Sequence, residues 1–195
     1  GVTTRLDLDC KLLAATERLG RALRAGRQHL ATRHRLTLLQ LQILEQLADR
    51  RARRVGELAA ELDITQPTTS DALDALHAKG LITRKPHPID GRATNVTLTT
   101  AGTKLAGRIA AEIAPLLAGD ATATEEDRAT ALRVLLVEIS RLQYAGIITV
   151  NRSCLTCDHY QPPSDRTPAH CLLLDQPLED RNLRVDCPEH SGAAR

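Results

Sequence analysis

The sequence almost lacks aromatic residues: it has two tyrosines and no phenylalanine, tryptophan or methionine among 195 residues. The 42% of residues that are hydrophobic are therefore mostly leucine, isoleucine, valine and alanine. A core of such residues favours packed helices over a sandwich of sheets, whose strands use many aromatic side chains. We predict a mainly helical domain of ordinary size with a small appendage.

Long apolar runs are also missing. No run approaches the ~20 residues that a membrane-spanning helix needs, and arginines recur through residues 1 to 35, unlike in a signal peptide. We expect a cytoplasmic protein without a membrane partner. The sequence has no nucleophile elbow, no phosphate-binding glycine loop and no HExxH motif. These absences argue against an enzyme.

Charge is small in sum but unevenly distributed. The net charge is +2, yet six arginines and no acidic residue lie between Arg18 and Arg35. A second basic run, DRRARR, covers residues 49 to 54. From residue 151 onward, five arginines face seven acidic residues. A basic front and a mildly acidic end indicate two parts with different partners.

Apolar periodicity predicts four helices in the first part of the chain, at residues 8–31, 37–48, 54–64 and 65–82. The first carries a narrow leucine stripe, which is typical of a helix that packs against another helix or a second subunit. Thr37 is a candidate N-cap of the second helix. In the fourth, Thr65 can cap the start, Pro67 suits the first turn and Gly80 can end the helix.

A β-hairpin is predicted after these helices. Residues 81–99 have β-branched side chains on both sides of a loop rich in Pro, Asp and Gly. Two more helices are predicted at 100–118 and 124–148, and a capping box of Thr124 and Asp127 opens the second. Periodicity ends near residue 150. We therefore predict one domain of residues 1–150 and an irregular tail of residues 151–195.

This order of helices and hairpin is that of a winged helix-turn-helix. The segments VGELAAELDITQPTTSDALDALHAKGLITR, DGR and VTLTTAG follow one another in the chain. With them, roughly residues 10–148 resemble the MarR family of transcription regulators. The resemblance implies N- and C-terminal dimerisation helices and a homodimer that binds double-stranded DNA. The operator would be pseudo-palindromic with half-sites about one DNA turn apart, and many relatives respond to a small-molecule effector.

The fourth helix and the hairpin hold the candidate DNA contacts. The stretch TQPTTS presents hydroxyls and an amide at a helix N-terminus, which favours anions and can reach base edges. The predicted contacts are Gln66, Thr68, Thr69, Ser70, Arg84, Lys85, His87 and Arg92. Capping alone could also explain the hydroxyl residues, and a solvated loop could explain the charged ones.

Two acidic residues modify this picture. The resemblance implies that Arg92 of DGR enters the minor groove of DNA. It also implies that Asp90 stabilises the wing, which is the β-hairpin predicted at residues 81–99. Asp71 stands where family members often carry a basic residue. An acid at that position repels phosphate but can accept a hydrogen bond from cytosine N4.

Four of the five cysteines lie in the tail, with the spacing Cys154-x2-Cys157-x13-Cys171-x15-Cys187. Clustered cysteines in a cytosolic protein more often bind metal or do redox chemistry than form disulfides. Four thiolates complete the ligand set of a zinc ion or an iron–sulfur cluster. A redox dithiol is disfavoured because the C-x-x-C pair opens no βαβ unit. The fifth, Cys10, is predicted to be a small buried hydrophobe.

Zinc and an iron–sulfur cluster remain as alternatives. Zinc would stabilise a tail too small for its own core, but a second C-x-x-C turn is missing. One close pair plus two isolated cysteines suits a cluster, with Pro188 after Cys187 and three leucines after Cys171. We favour a repressor whose operator affinity is modulated by an iron–sulfur cluster. The alternative is a small-molecule-responsive repressor with a structural zinc ion.

Overall fold

The structure, a computed structural model, describes residues 2–49, 51–87, 94–117 and 122–192. The chain divides into two compact units, residues 1–118 and 119–195. This division falls earlier than the change of pattern near residue 150, because the last helix packs against the cysteine-containing tail. Whether residues 1–150 act as one functional domain stays a prediction.

The described residues form six helices, which are α1 Val2–Arg33, α2 Leu38–Gln46, α3 Val55–Glu61, α4 Gln66–Ala78, α5 Thr100–Leu117 and α6 Glu125–Tyr144. The same residues contain six short strands, which are β1 Arg53–Arg54, β2 Ile82–Pro86, β3 Thr94–Leu98, β4 Tyr160–Gln161, β5 His170–Cys171 and β6 Gln176–Pro177. The mainly helical prediction is confirmed, as is the hairpin.

Local capping chemistry sets the helix starts. Thr37 Oγ1 accepts from the Gln40 N–H at 3.1 Å, and Gln40 Oε1 accepts from the Thr37 N–H at 3.3 Å. Thr124 and Asp127 exchange the same pair of bonds at the start of α6, at 3.1 and 3.0 Å. Hydrogen bonds from the Thr124 hydroxyl and backbone lower the pKa of the Asp127 carboxyl. Gly80, with φ of +68°, follows the end of α4.

Aliphatic side chains from five helices and the hairpin form the core of the first unit. The fully buried large members are Leu41, Ile43, Leu44, Leu47, Leu58, Leu73, Leu76, Ile82, Val96 and Ile109. The sheet beside them is antiparallel with strand order β1-β3-β2. Sequence patterning missed β1, since two residues of the run DRRARR are too few to show alternation.

The second unit consists of α6 and the tail. Leu136 on α6 is fully buried in a cluster with Cys154 and Leu183. Strands β4, β5 and β6 form a small antiparallel sheet, and 3₁₀ turns lie at 154–156 and 180–182. We predicted an irregular tail, whereas the tail contains this small sheet and two 3₁₀ turns. Its strands are only two residues long, so the sequence shows no period that would reveal them.

The first half of α1 is exposed over residues 7–22. Leu30 of the predicted stripe is buried, whereas Leu12 and Leu19 are about half exposed. Cys10 lies in the same stretch and is exposed, so its prediction as a buried hydrophobe is wrong. None of the helices in the described ranges is long and apolar enough to span a membrane.

Gly102, in the TTAG stretch, is required by close packing. A Cβ added there would lie 2.0 Å from the Leu81 carbonyl oxygen. That oxygen accepts the Thr99 N–H at 3.0 Å, which joins the hairpin to the start of α5. Gly102 therefore allows the helix to approach the wing closely.

We expect Gly102→Ala to lower the free energy of unfolding by about 1–3 kcal/mol, because the backbone must shift. Gly107→Ala is the matched control, since a Cβ on this glycine of the same helix meets nothing within 4 Å. Gly107→Ala should raise the free energy of unfolding by about 0.5–1 kcal/mol, because alanine favours a helix more than glycine does. Urea denaturation measures both, and equal effects would contradict the packing argument.

Candidate nucleic-acid interface and cysteine centre

The start of α4 exposes part of the predicted DNA-contact set. Thr65 caps the helix, and its Oγ1 lies 2.8 Å from Thr68 Oγ1. Gln66 and Thr68 are exposed, and Ser70 is half-buried. These three side chains stand on the first two turns of the helix. They form a polar surface that a partner can reach.

Thr69 lies inside the domain. Its side chain is fully buried, and its hydroxyl donates to the Thr65 carbonyl at 3.0 Å. The same buried face continues through Ala72, Leu73 and Leu76. Helical spacing from these residues could have identified Thr69 as part of the core. A side chain in this position cannot reach a bound partner without unpacking the helix.

The hairpin residues differ in what they contact. Lys85 is exposed on β2. His87 Nε2 lies 3.2 Å from Arg54 Nη2, so this histidine faces the end of β1. Arg92 and Asp90 lie outside the described residues.

Arg84 joins the wing to α4. Its Nη1 donates to Asp74 Oδ1 at 2.6 Å, and its Nη2 donates to the Ser70 carbonyl at 3.2 Å. Its Nε is buried and has no hydrogen-bond partner among the described residues. Arg84 therefore fixes the angle between helix and wing, while Asp71 remains exposed on the helix. The ion pair between Asp74 and Arg84 was not predicted, because the sequence does not indicate which strand residue contacts Asp74.

Four cysteines of the tail line one cavity of about 30 Å³. The other lining residues are His159, Tyr160, Leu173, Leu174, Leu178, Arg184 and Glu189. The predicted set Cys154, Cys157, Cys171 and Cys187 thus lines one cavity, with the first two at a 3₁₀ turn, the third on β5 and the last directly after the Arg152–Asp186 bridge. In the ranges the structure describes, no group of three or more His, Cys, Asp or Glu is arranged to hold a metal ion.

Backbone hydrogen bonds place the sulfurs. Cys154 is the first residue of a 3₁₀ turn, and the Cys154 carbonyl accepts the Cys157 N–H at 3.1 Å. Cys171 lies on β5 opposite Tyr160. The Cys187 N–H donates to the Arg152 carbonyl at 3.0 Å, which brings the last cysteine beside the first.

Arg184 contacts two of the sulfurs. Its backbone N–H donates to Cys154 Sγ at 3.2 Å, and its Nη1 donates to Cys187 Sγ at 3.5 Å. Burial raises the pKa of the Cys154 thiol, against the opposing effect of the Arg184 N–H, and the other three thiols raise it further. Donors to sulfur are typical of sulfur-ligated centres, whose properties they tune. Arg184 was not predicted from sequence, since nothing in the spacing marks it.

The tail histidines make separate contacts. His159 lines the cysteine cavity. His170 Nε2 lies 3.0 Å from Asp175 Oδ1, and His190 Nε2 lies 3.2 Å from Thr156 Oγ1. Four thiols beside three leucines form a soft donor set, which suits zinc or an iron–sulfur cluster better than a hard cation.

Comparison with known proteins agrees with the winged-helix geometry. The sequence model of the MarR family matches residues 35–93. An HTH-type transcriptional regulator of Mycobacterium leprae (strain TN) is 32% identical over 104 residues, which cover 51% of this chain and 70% of that protein. One from Mycobacterium tuberculosis (strain CDC 1551 / Oshkosh) is 33% identical over 104 residues, with the same 51% and 70% covered.

Solved structures show the same fold. One MarR family transcription regulator has a TM-score of 0.63 and 25% identity, covering 74% of this chain and 95% of that one. MarR from E. coli has a TM-score of 0.55 and 23% identity, covering 66% and 95%. MepR from S. aureus, solved as a complex with DNA, has a TM-score of 0.55 and 23% identity, covering 66% and 96%.

Fold, order of elements and comparisons together define a winged-helix transcription regulator. The chain belongs to the MarR family, as its sequence segments predicted. Its relatives are transcription regulators and not enzymes, which confirms that exclusion.

The role of Arg84 can be tested by its effect on stability. Arg84→Met should lower the free energy of unfolding by about 1 kcal/mol, because two hydrogen bonds between wing and α4 are lost. Lys85→Met, at the exposed neighbouring position, should change it by less than about 0.5 kcal/mol. Urea denaturation of both variants provides the measurement. If Lys85→Met lowered the free energy of unfolding as much as Arg84→Met does, the contacts between Arg84 and α4 would not account for the effect.

Proposed function

We propose that this regulator is a repressor that binds a pseudo-palindromic DNA operator as a homodimer. The observation that carries the proposal is the exposed polar start of α4, in the same unit as an exposed lysine on the wing. Gln66, Thr68 and Ser70 would contact bases and phosphates, and Lys85 would contact phosphate. The DNA-bound state of MepR, which has the same fold, supports this use of the domain.

Exposed apolar side chains on the terminal helices support the dimer. Leu8, Leu12, Leu13 and Leu19 on α1 are exposed by 49–63%. On α6, Val134, Leu135 and Val137 are exposed by 38–48%. Exposed apolar groups on each of these helices indicate surfaces that another protein covers, and a second copy would bring two recognition helices to successive turns of DNA.

We expect Lys85→Ala to weaken operator binding uniformly across sequences. Each phosphate contact contributes about 0.9 to the slope of log affinity against log salt, so a dimer losing two contacts should lose about 1.8. Fluorescence anisotropy with an operator selected from random DNA, measured over a salt series, provides the slope. Lys104→Ala on α5 is the control with the same loss of charge. An unchanged slope in Lys85→Ala would remove this lysine from the interface.

We further propose that the four cysteines hold an iron–sulfur cluster that modulates operator affinity. The four cysteines line one cavity but are not arranged to hold a metal ion as they stand, so binding would require their sulfurs to move closer together. A cluster is favoured because Cys171 and Cys187 stand alone in the sequence, and because Leu173 and Leu174 line the cavity and would shelter the centre from water.

The cysteine segment is connected to α6 in a way that supports regulation. Cys154 and Leu183 pack on Leu136. Arg133 Nε donates to Asp180 Oδ2 at 2.8 Å, and Arg181 Nη1 donates to Glu125 Oε1 at 2.8 Å. A change in the order of the tail therefore alters the packing of α6, one of the proposed dimer helices. A coupling of about 1–3 kcal/mol would change operator affinity about 5–150-fold.

Cys157→Ser should remove the visible absorption of anaerobically purified protein and change operator affinity within that range. Cys10→Ser is the matched control, because Cys10 is exposed on α1 and should leave both readouts unchanged. A colourless wild-type protein with one zinc ion per chain would favour the alternative, a small-molecule-responsive repressor. Unchanged affinity in the metal-free variant would reduce the centre to a structural role.

A further inference from the structure

One acidic side chain lies on the outward face of α4. The buried face of this helix is formed by Thr69, Ala72, Leu73 and Leu76. With 3.6 residues per turn, the exposed Asp71 lies about 150° around the helix from the centre of that face. Thr68 and Ser70 lie on either side of Asp71 around the helix. Asp71 therefore faces a molecule that approaches this polar surface.

The carboxylate of Asp71 is not used inside the domain. In the part of the chain that the structure describes, it makes no hydrogen bond and no ion pair. Asp74, three residues further along α4, instead accepts a hydrogen bond from Arg84 Nη1 at 2.6 Å. The charge of Asp74 is thus paired with the wing, whereas the charge of Asp71 is available to an external donor.

An acid at this position restricts which part of DNA the helix can contact. Duplex DNA carries one negative charge per about 1.7 Å of its axis, so a carboxylate beside a phosphate is repelled. A carboxylate can only accept hydrogen bonds, and phosphate oxygens offer none. Asp71 therefore needs a donor on the edge of a base in the major groove.

The chemistry of the four bases favours one partner for this carboxylate. In the major groove, the polar groups of guanine and thymine are acceptors, which repel a carboxylate. Adenine presents the N6 donor, but its N7 acceptor lies beside that donor. Cytosine presents the N4 donor and no acceptor of its own. Cytosine is therefore the base that suits Asp71 best.

We propose that Asp71 specifies a C·G base pair in each half-site of the operator by accepting a hydrogen bond from cytosine N4. This inference rests on the proposed function, since it requires α4 to lie in the major groove of DNA. Asp71 then selects the sequence, whereas the phosphate contact of Lys85 adds affinity that does not depend on sequence. The contact needs no change of fold, because the side chain of Asp71 is already exposed.

Selection of binding sites from random DNA, followed by fluorescence anisotropy, tests the proposal. The wild type should select cytosine at one symmetric position of each half-site. Replacing that C·G pair by T·A in one half-site should weaken binding about 5–150-fold, the usual effect of one mismatched base pair. Asp71→Ala should bind the two sequences equally. Asp71→Asn should prefer adenine at that position, because an asparagine amide pairs with adenine N6 and N7.

Asp165→Asn is the matched control, because it removes the same charge from an exposed residue of the second unit. It should keep the base preference of the wild type, and circular dichroism checks that each variant is folded. If Asp71→Ala and Asp71→Asn keep the cytosine preference, the inference about Asp71 is overturned while the proposed DNA binding stands. If the wild type selects no sequence at all, the proposed function is overturned together with it.

Discussion

The burial of Leu136 against Cys154 and Leu183 is the contact on which the second unit depends. A tail of this size buries too little apolar surface to be stable alone. It uses one face of α6 as the other half of its core, and ion pairs at Arg133 and Arg181 add to that attachment. Val134 and Val137 on the same helix stay exposed, and in the proposed dimer a second subunit would cover them.

Two arginines in this protein hold parts of the structure together. Arg84 is committed to Asp74 and the Ser70 carbonyl, so the angle of the wing is set before any DNA binds. Arg184 is committed to two sulfurs in the same way. Preorganised groups of this kind reduce the ordering that binding would otherwise require. In the proposed complex the exposed Lys85 would supply the phosphate contact, for which a flexible point charge suffices.

Local signals allowed much of the fold to be predicted from sequence. Thr37 and Thr124 mark helix starts because their capping partners lie three residues away. The grouping of the four cysteines could also be predicted from sequence, since clustered cysteines in one short segment often act together on a metal or in redox chemistry. Two-residue strands, the exposure of Cys10 and the partners of Arg84 and Arg184 were not foreseeable. Each depends on contacts between residues distant in sequence, which no local period encodes.

Residues on both sides of Cys154 set its position. Asn151 Oδ1 accepts the Ser153 N–H at 2.9 Å, in the turn that leads into the cysteine segment. The Cys154 N–H donates to the Arg184 carbonyl at 3.1 Å, and the Arg184 N–H donates back to Cys154 Sγ at 3.2 Å. Because Arg184 lies 30 residues further along the chain, the placement of the first sulfur depends on the fold of the whole tail and not on the spacing of the cysteines alone.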